Sequence, residues 1–438
     1  MSDAAPAAAG TGRDWRYYLQ RPVVVIFFLG FSAGLPFPLV YSTLTGWLED
    51  ADIQRSTIST FAWLGFAYSF KFAWSPLVDA MSLPLLTRWL GRRRAWLLTS
   101  QVALALSLYA MSTMDPAMEM VVFATVAVAV AFLSATQDIV IDAYRIESAE
   151  QDLQGVLAAS YQYGYRVAVL VAMAGAFYIA DFGSWEMAYK AMAACMLVGI
   201  VTTLLCHEPE TGIRITQELA GNFVEQAGQW LYVAVVEPFL DFIERYGVWA
   251  LPLLAFIASY HVSDRILGIL ANPFYLDIGY TKSEVATVAK LYGFWISLLG
   301  TGAGAVAIIR FGLYRCIVAA PVFVVSTNLF FVAIAMSGPQ LELLALTISF
   351  DNFAAGFGST VMIAFLSSLV NLKFTATQYA LLSSISTFFG KLFAGYSGDV
   401  QEVVGWVNFF YYAAATGLPA ILLAVVVSRR QQDQEPGG

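Results

Sequence analysis

Apolar residues run through the chain in blocks of about twenty, the length that carries an α-helix across a bilayer, with short polar breaks between them. The blocks cover 23–46, 57–79, 95–113, 118–141, 156–180, 186–206, 249–271, 284–309, 314–336, 342–370, 376–398 and 405–427, twelve in all. One longer polar interval, 207–247, falls at mid-chain and alternates polar and apolar residues at helical period. The pattern predicts an all-α membrane protein of two six-helix bundles. Its parts are an N-terminal tail (1–22), a first bundle (23–206), a linker (207–247), a second bundle (248–427) and a C-terminal tail (428–438). Within the linker Phe223, Ala227, Trp230, Leu231, Ala234 and Val235 recur near i, i+3, i+4 spacing, which predicts an amphipathic helix on the cytoplasmic surface. Glu218 and Glu225 in the same stretch argue against anchoring to anionic lipid, so it reads as a connector.

Composition agrees with the pattern. Of 438 residues 59% are hydrophobic and 12% charged, against roughly 25% charged in a soluble domain; mean hydropathy is +0.68. The first 22 residues hold no apolar stretch and are not a secretory signal. Cys195, Cys206 and Cys316 lack metal-ligand spacing and read as small packing residues. Orientation follows from the basic residues. Of 23 Lys and Arg, fifteen fall on one side of the predicted spans and three (Arg55, Lys190, Lys282) on the other, which places both termini in the cytoplasm. Pro36 and Pro38 interrupt the first span and Asn272-Pro273 falls near the end of the seventh, predicting two discontinuous helices. Gly300 and Gly304 form a GxxxG step that suits close helix packing.

A charged side chain at the centre of a membrane helix costs about 2.5–3.5 kcal/mol on insertion scales, so it faces protein or a hydrated cavity. Here Lys71 lies on span 2, Asp138 and Asp142 on span 4, Arg166 on span 5, and His261, Asp264 and Arg265 on span 7. Lys290 lies on span 8, Asp351 on span 10 and Lys391 on span 11, whereas spans 3, 6, 9 and 12 carry none beyond their first five residues, and span 1 carries none. The recurrence of a span without interior charge at every third position predicts four peripheral supports around a polar chamber.

Asp138 and Asp142 are four residues apart and share one helix face, with Arg145 a turn beyond. Depth assigns Asp138 to proton or polar-substrate binding, and Asp142 with Arg145 to a gate at the rim. Asp351 and Asp264 are the deepest carboxylates and candidates for proton coupling; His261, a turn from Asp264, either shares that proton or is a satisfied polar histidine. Lys71, Arg166, Arg265 and Lys391 either recognise an anionic substrate or pair with these carboxylates. Tyr68, Trp74, Tyr161, Tyr292 and Trp295 lie near them, placed either to stack on sugar faces or to serve as ordinary membrane packing.

The halves also repeat. ADIQRSTISTFAWLGFAYSFKF, after the first span, parallels GYTKSEVATVAKLYGFWISLLG, after the seventh, and LQGVLAASYQYGYRVAVLVAMAGAFYIADFGSW parallels TQYALLSSISTFFGKLFAGYSGDVQEVVGW. Duplication of this kind predicts a transporter with its substrate site near the midplane between halves.

The stretches GFSAGLPFPLVYSTLTGWL, FKFAWSPLVDAMSLPLLTRWLGRRRAWLL, SATQDIVIDAYRIE and FTATQYALLSSIS closely resemble the AmpG-type muropeptide permeases of the major facilitator superfamily. That resemblance implies a twelve-helix major facilitator fold with pseudo-two-fold symmetry, in a proton-driven importer of the Gram-negative inner membrane. Its cargo would be anhydro-muropeptides (GlcNAc-anhydro-MurNAc with or without peptide), recycled from the cell wall and feeding beta-lactamase induction in some species. SPLVDAMSLPLLTRWLGRRR also looks like the superfamily's loop signature between helices 2 and 3. By that likeness Asp79 caps a neighbouring helix N-terminus and pairs with Arg92, Arg93 or Arg145 as a cytoplasmic latch. Ala80 replaces the usual Arg after the Asp, and the second-half counterpart RFGLYR is degenerate.

A membrane-embedded enzyme is the reading from another class. With only His207 and His261 as histidines, and no HExxH or GxSxG, the chain lacks a nucleophile, base or metal set for it. FFGKLFAG lacks the residues of a phosphate loop, so no ATP use and no cofactor is implied; a proton gradient is the energy source. A nearer rival is a facilitator carrying another anionic cargo, such as an acyl-CoA, peptide or sugar. The partners implied are a small-molecule substrate and the lipid bilayer, with no nucleic acid, and the default assembly is a monomer.

Overall fold

The computed structural model describes residues 20–209, 229 and 232–434, and no strand occurs among them. The helices are α1 (Arg21–Asp50), α2 (55–80, in short pieces), α3 (Arg92–Ser112), α4 (Met120–Glu147), α5 (Gln151–Phe182) and α6 (Trp185–Leu205). They continue with α7 (Glu237–Ile278), α8 (Lys282–Phe311), α9 (Leu313–Ser337), α10 (Leu341–Leu369), α11 (Thr375–Ala394) and α12 (Ser397–Arg430). Among the described residues ten of these are long and apolar enough to cross a membrane; α2 and α11 are not.

The shortfall corrects the expectation of twelve uniform spans, and its causes are local. The predicted span 57–79 is five pieces, Arg55–Thr60, Phe61–Leu64, Gly65–Ser69, Lys71–Ala73 and Ser75–Ala80. α11 is one continuous helix, but three Thr, three Ser, Gln378 and Lys391 lower its hydropathy. It ends at Ala394 rather than 398, and α12 begins at Ser397, bending at Gly405, where φ is 74°.

Pro36 breaks α1 as predicted, with the pieces Arg21–Gly34, Pro36–Val40 and Ser42–Asp50. In α7 the break falls at His261, between Ala250–Tyr260 and Val262–Ile278, whereas Pro273 sits inside a continuous helix. Phe274 and Tyr275, the two residues after Pro273, are buried among packed side chains.

Apolar burial divides by half. One core gathers Leu39, Trp47, Leu104, Phe123, Tyr189 and their neighbours from α1 to α6; another gathers Phe256, Ile317, Phe365, Leu382 and theirs from α7 to α12. Glycines let helices within each half touch backbone to backbone. Gly164 of α5 lies against the Phe27 carbonyl of α1, and Gly300 and Gly304 of α8 lie against Phe353 and Phe357 of α10, so the GxxxG step is a packing seam. Between halves, the substantial contacts are α5 with α8 and α10, and α11 with α2 and α4; α3, α6, α9 and α12 make none of them.

The linker expectation is met only in part by described residues. Phe223, Ala227, Trp230, Leu231, Glu218 and Glu225 lie outside them, as do most of the N-terminal tail and residues 435–438. Of the predicted linker, Tyr232–Val236 and Glu237–Tyr246 form helix, the latter being the first piece of α7. There Arg245 donates to Asp241 and to the Leu369 carbonyl, and Lys373 pairs with Glu237 at 2.6 Å, fastening this helix to the turn between α10 and α11.

Candidate functional site

α3, α6, α9 and α12 stand outside the contact between halves, and charged side chains of the other helices meet near it. Lys71 occupies the 3-10 turn that breaks α2, so its side chain leaves the helix at an angle a continuous α-helix would not give. It is buried, and its Nζ lies 3.4 Å from Asp142 Oδ2 on α4. The other Asp142 oxygen is 3.5 Å from Arg145 Nη2. Arg145 is fully buried and reaches the other half twice: Nη1 donates to Ser367 Oγ at 2.9 Å, and the guanidinium lies 5.2 Å above the Tyr379 ring. Asp138, a turn from Asp142, feels the charges of Lys71 and Asp142, and its own field reaches Tyr68, Tyr161 and Tyr165. Gln137, beside it, is bonded to Ser32 of α1 in both directions at 2.9 Å.

A second set of cations spans the halves. Lys391 of α11 donates to Ser69 Oγ of α2 at 2.9 Å, and its charged neighbours are Arg265 and Lys71. Arg166 of α5 donates to Ser297 Oγ of α8, and Tyr163 one turn earlier donates to the Leu298 carbonyl at 3.0 Å. Arg265 is exposed to the interior space and packs beside Gly390. Asp264 and Asp351, predicted separately, interact electrostatically across α7 and α10. His261 sits at the α7 break with its ring edge-on to Tyr260, 4.9 Å between centroids.

A third cluster closes one end of the bundle. There the start of α1 is held to the end of α6 by Arg21 and Leu205, and Arg430 near the end of α12 lies over Trp249. Asp79, at the end of α2, accepts from the Thr377 amide and hydroxyl at 2.8 Å each and from the Ala376 amide at 3.3 Å, capping α11 of the other half. Arg93 donates to Asp79 at 2.8 Å and grips Glu147 with Nη2 at 2.5 Å and Nε at 3.0 Å. Of the three partners inferred for Asp79, Arg93 is the one that meets the carboxylate. Arg92 donates to the Asp79 backbone carbonyl, and Arg145 belongs to the Asp142 cluster instead. Gly91, at φ 89°, turns the chain so that Glu208 accepts from the Arg93 and Arg94 amides and caps α3. Beside this latch lies a cavity of about 740 Å³ bordered by Arg21, Tyr144, Glu147, Gln154, His207 and Ser367.

Three aromatic candidates are placed elsewhere. Trp74 donates to Thr136 at 3.1 Å and packs on Phe132, tying α2 to α4. Tyr292 bonds Ser349. Trp295 lies on an exposed apolar stripe with Leu291 and Leu299, four residues away on either side, so it faces outward from the bundle. Sequence reasoning missed Glu147, Ser367 and Thr377, whose roles depend on partners more than 50 residues away. It also missed Ser69 and Ser297, although the repeat aligns them directly, four residues after Gly65-Phe66 and Gly293-Phe294.

Two helical halves that meet through α2, α4, α5, α8, α10 and α11, with α3, α6, α9 and α12 outside that contact, have the arrangement of a major facilitator transporter. The fold superposes on the proton:xylose symporter XylE bound to 6-bromo-6-deoxy-D-glucose with TM-score 0.66 at 14% identity, covering 92% of this chain and 94% of that one. It matches FucP in its outward conformation equally well, at 0.66 and 13% identity, over 94% of this chain and 99% of that one. A family model described as acetyl-coenzyme A transporter 1 matches residues 22–171. The chain is 33% identical to the transporter AmpG 4 of Rickettsia felis over 92% of its own length and 96% of the relative's. It is 33% identical to the anhydromuropeptide permease of Escherichia coli (strain K12) over 94% and 80%. The chain belongs to the AmpG family of permeases. It is a multi-pass membrane transporter and not an enzyme.

Proposed function

We propose that the protein imports anhydro-muropeptides across the bacterial inner membrane by proton-coupled alternating access, with both termini cytoplasmic. The observation that carries this reading is a set of cations near the junction of the halves that, among the described residues, form no ion pair with a carboxylate. Arg166 and Lys391 rest on serine hydroxyls at the junction of the halves, and Arg265 lies beside Lys391. Such cations suit a cargo bearing carboxylates, and the name of the Escherichia coli relative supplies the cargo class.

In this reading Lys71, Arg166, Arg265 and Lys391 hold the anionic groups, with Tyr68 and Tyr161 alongside. Asp138, and the Asp264 and Asp351 pair with His261, carry the proton. The latch of Asp79, Arg93 and Glu147, together with Arg145 on Ser367, closes the basic end, so this conformation opens toward the periplasm. Cargo enters there, and breaking the latch releases it to the cytoplasm. The test is uptake of labelled anhydro-muropeptide by a permease-null strain expressing the chain, with and without a protonophore. Accumulation that the protonophore abolishes supports the reading, and no accumulation sinks it. The match of residues 22–171 to the acetyl-coenzyme A transporter model favours one second reading, an acyl-CoA cargo; labelled acetyl-CoA in the same assay separates the two.

A further inference from the structure

The two bonds Arg166 to Ser297 and Lys391 to Ser69 are counterparts under the internal repeat. Aligned without gaps, ADIQRSTISTFAWLGFAYSFKF and GYTKSEVATVAKLYGFWISLLG superimpose Gly65-Phe66 on Gly293-Phe294 and Ser69 on Ser297. The donors come from the other repeated pair, α5 and α11, and fall one position apart in its register. Each bond therefore joins a cation of one half to a serine of the other, once in each direction across the pseudo-two-fold axis.

A hydroxyl does not neutralise a cation. Arg166 is half-buried, so its charge without a counterion is costly, whereas Lys391 is exposed and carries a smaller penalty. The surroundings add to that cost: Lys391 has Arg265 and Lys71 as its charged neighbours, and Arg166 keeps its Nε buried without a hydrogen-bond partner. An incoming carboxylate binds either cation more strongly than a serine does.

We infer that Ser69 and Ser297 are holding residues: each parks a cation across the interface, and anionic cargo binds by displacing the serine from it. Because both bonds cross between halves, the exchange also removes two ties between them, so cargo itself loosens the interface. The inference rests on the anionic-cargo reading above. It makes Ser69 and Ser297 positioning residues that set affinity by competition, without their touching cargo.

The experiment compares purified full-length wild type with Ser69→Ala, Ser297→Ala and the double variant in proteoliposomes, measuring uptake of labelled anhydro-muropeptide under an imposed proton gradient. Each alanine removes the competitor, so KM should fall by about three- to tenfold per site, the range set by the net contribution of one ordinary hydrogen bond. Ser→Thr at either position keeps the hydroxyl and should restore the wild-type KM. In an Arg166→Gln background, Ser297→Ala should change nothing further. Unchanged or raised KM in folded alanine variants, or equal effects of Ala and Thr, overturns the inference; a variant that does not fold is replaced by Ser→Cys, a weaker acceptor with the same expected direction. If the wild type carries no anhydro-muropeptide the functional reading fails and the inference falls with it, whereas wild-type uptake with indifferent serines defeats the inference alone.

Discussion

Asp79 and Thr377 lie 298 positions apart in sequence, yet both the amide and the hydroxyl of Thr377 donate to one Asp79 oxygen at 2.8 Å. The carboxylate thus caps α11 from the opposite half, where the helix dipole favours negative charge. Asp79→Asn keeps an acceptor and removes the charge. We expect the transport rate to fall by about tenfold, equivalent to 1.4 kcal/mol, with cargo affinity within about twofold of wild type. Initial uptake rates at varied cargo concentration check this, and full activity counts against a latch.

Arg93 is 1% exposed and holds Asp79 and Glu147 together. Arg93→Met would leave two buried carboxylates facing each other, a change that destabilises by about 3–5 kcal/mol when one partner of a buried pair is lost. Arg93→Lys should recover only part, since one ammonium cannot reproduce the guanidinium fork. Thermal unfolding in detergent, followed by tryptophan fluorescence, ranks the three proteins.

Gly164 lies against the Phe27 carbonyl, and any Cβ there meets backbone rather than a movable side chain. Gly164→Val should therefore separate α1 from α5 and lower the yield of monodisperse protein severalfold in size-exclusion chromatography. Gly65 has open space around it, and Gly65→Ala serves as the matched control with near wild-type yield.

Asp264 and Asp351 interact across α7 and α10. If they share the coupling proton, Asp351→Asn or Asp264→Asn abolishes accumulation against a gradient and leaves counterflow exchange of labelled cargo intact. Accumulation that persists in either variant removes that residue from the coupling path.

What was legible from sequence was whatever depends on one helix or on burial cost. Spans 3, 6, 9 and 12, with no charge in their interiors, became helices that take no substantial part in the contact between halves, as the cost of charge in hydrocarbon predicts. Asp142 and Arg145 met because i, i+3 spacing fixes a helix face, whereas Lys71 reaches Asp142 from a neighbouring helix, which spacing does not show. The α7 break at His261 was not legible, since proline signals where a helix can break while tertiary packing decides where it does. For Trp295 the sequence left two readings open, since aromatic rings suit both a sugar and the lipid boundary; in the structure it shares an exposed stripe with Leu291 and Leu299.

The fragmentation of α2 and the polar residues of α11 have a consequence for how the chain is made. Neither helix would partition from the translocon into lipid unaided, so each must wait at the channel for a polar-tolerant companion. α4 is that companion for both, since each packs against it. A nascent chain halted just after α2 would leave that segment unintegrated, and its stable residence in the bilayer would begin only once α4 has emerged from the ribosome.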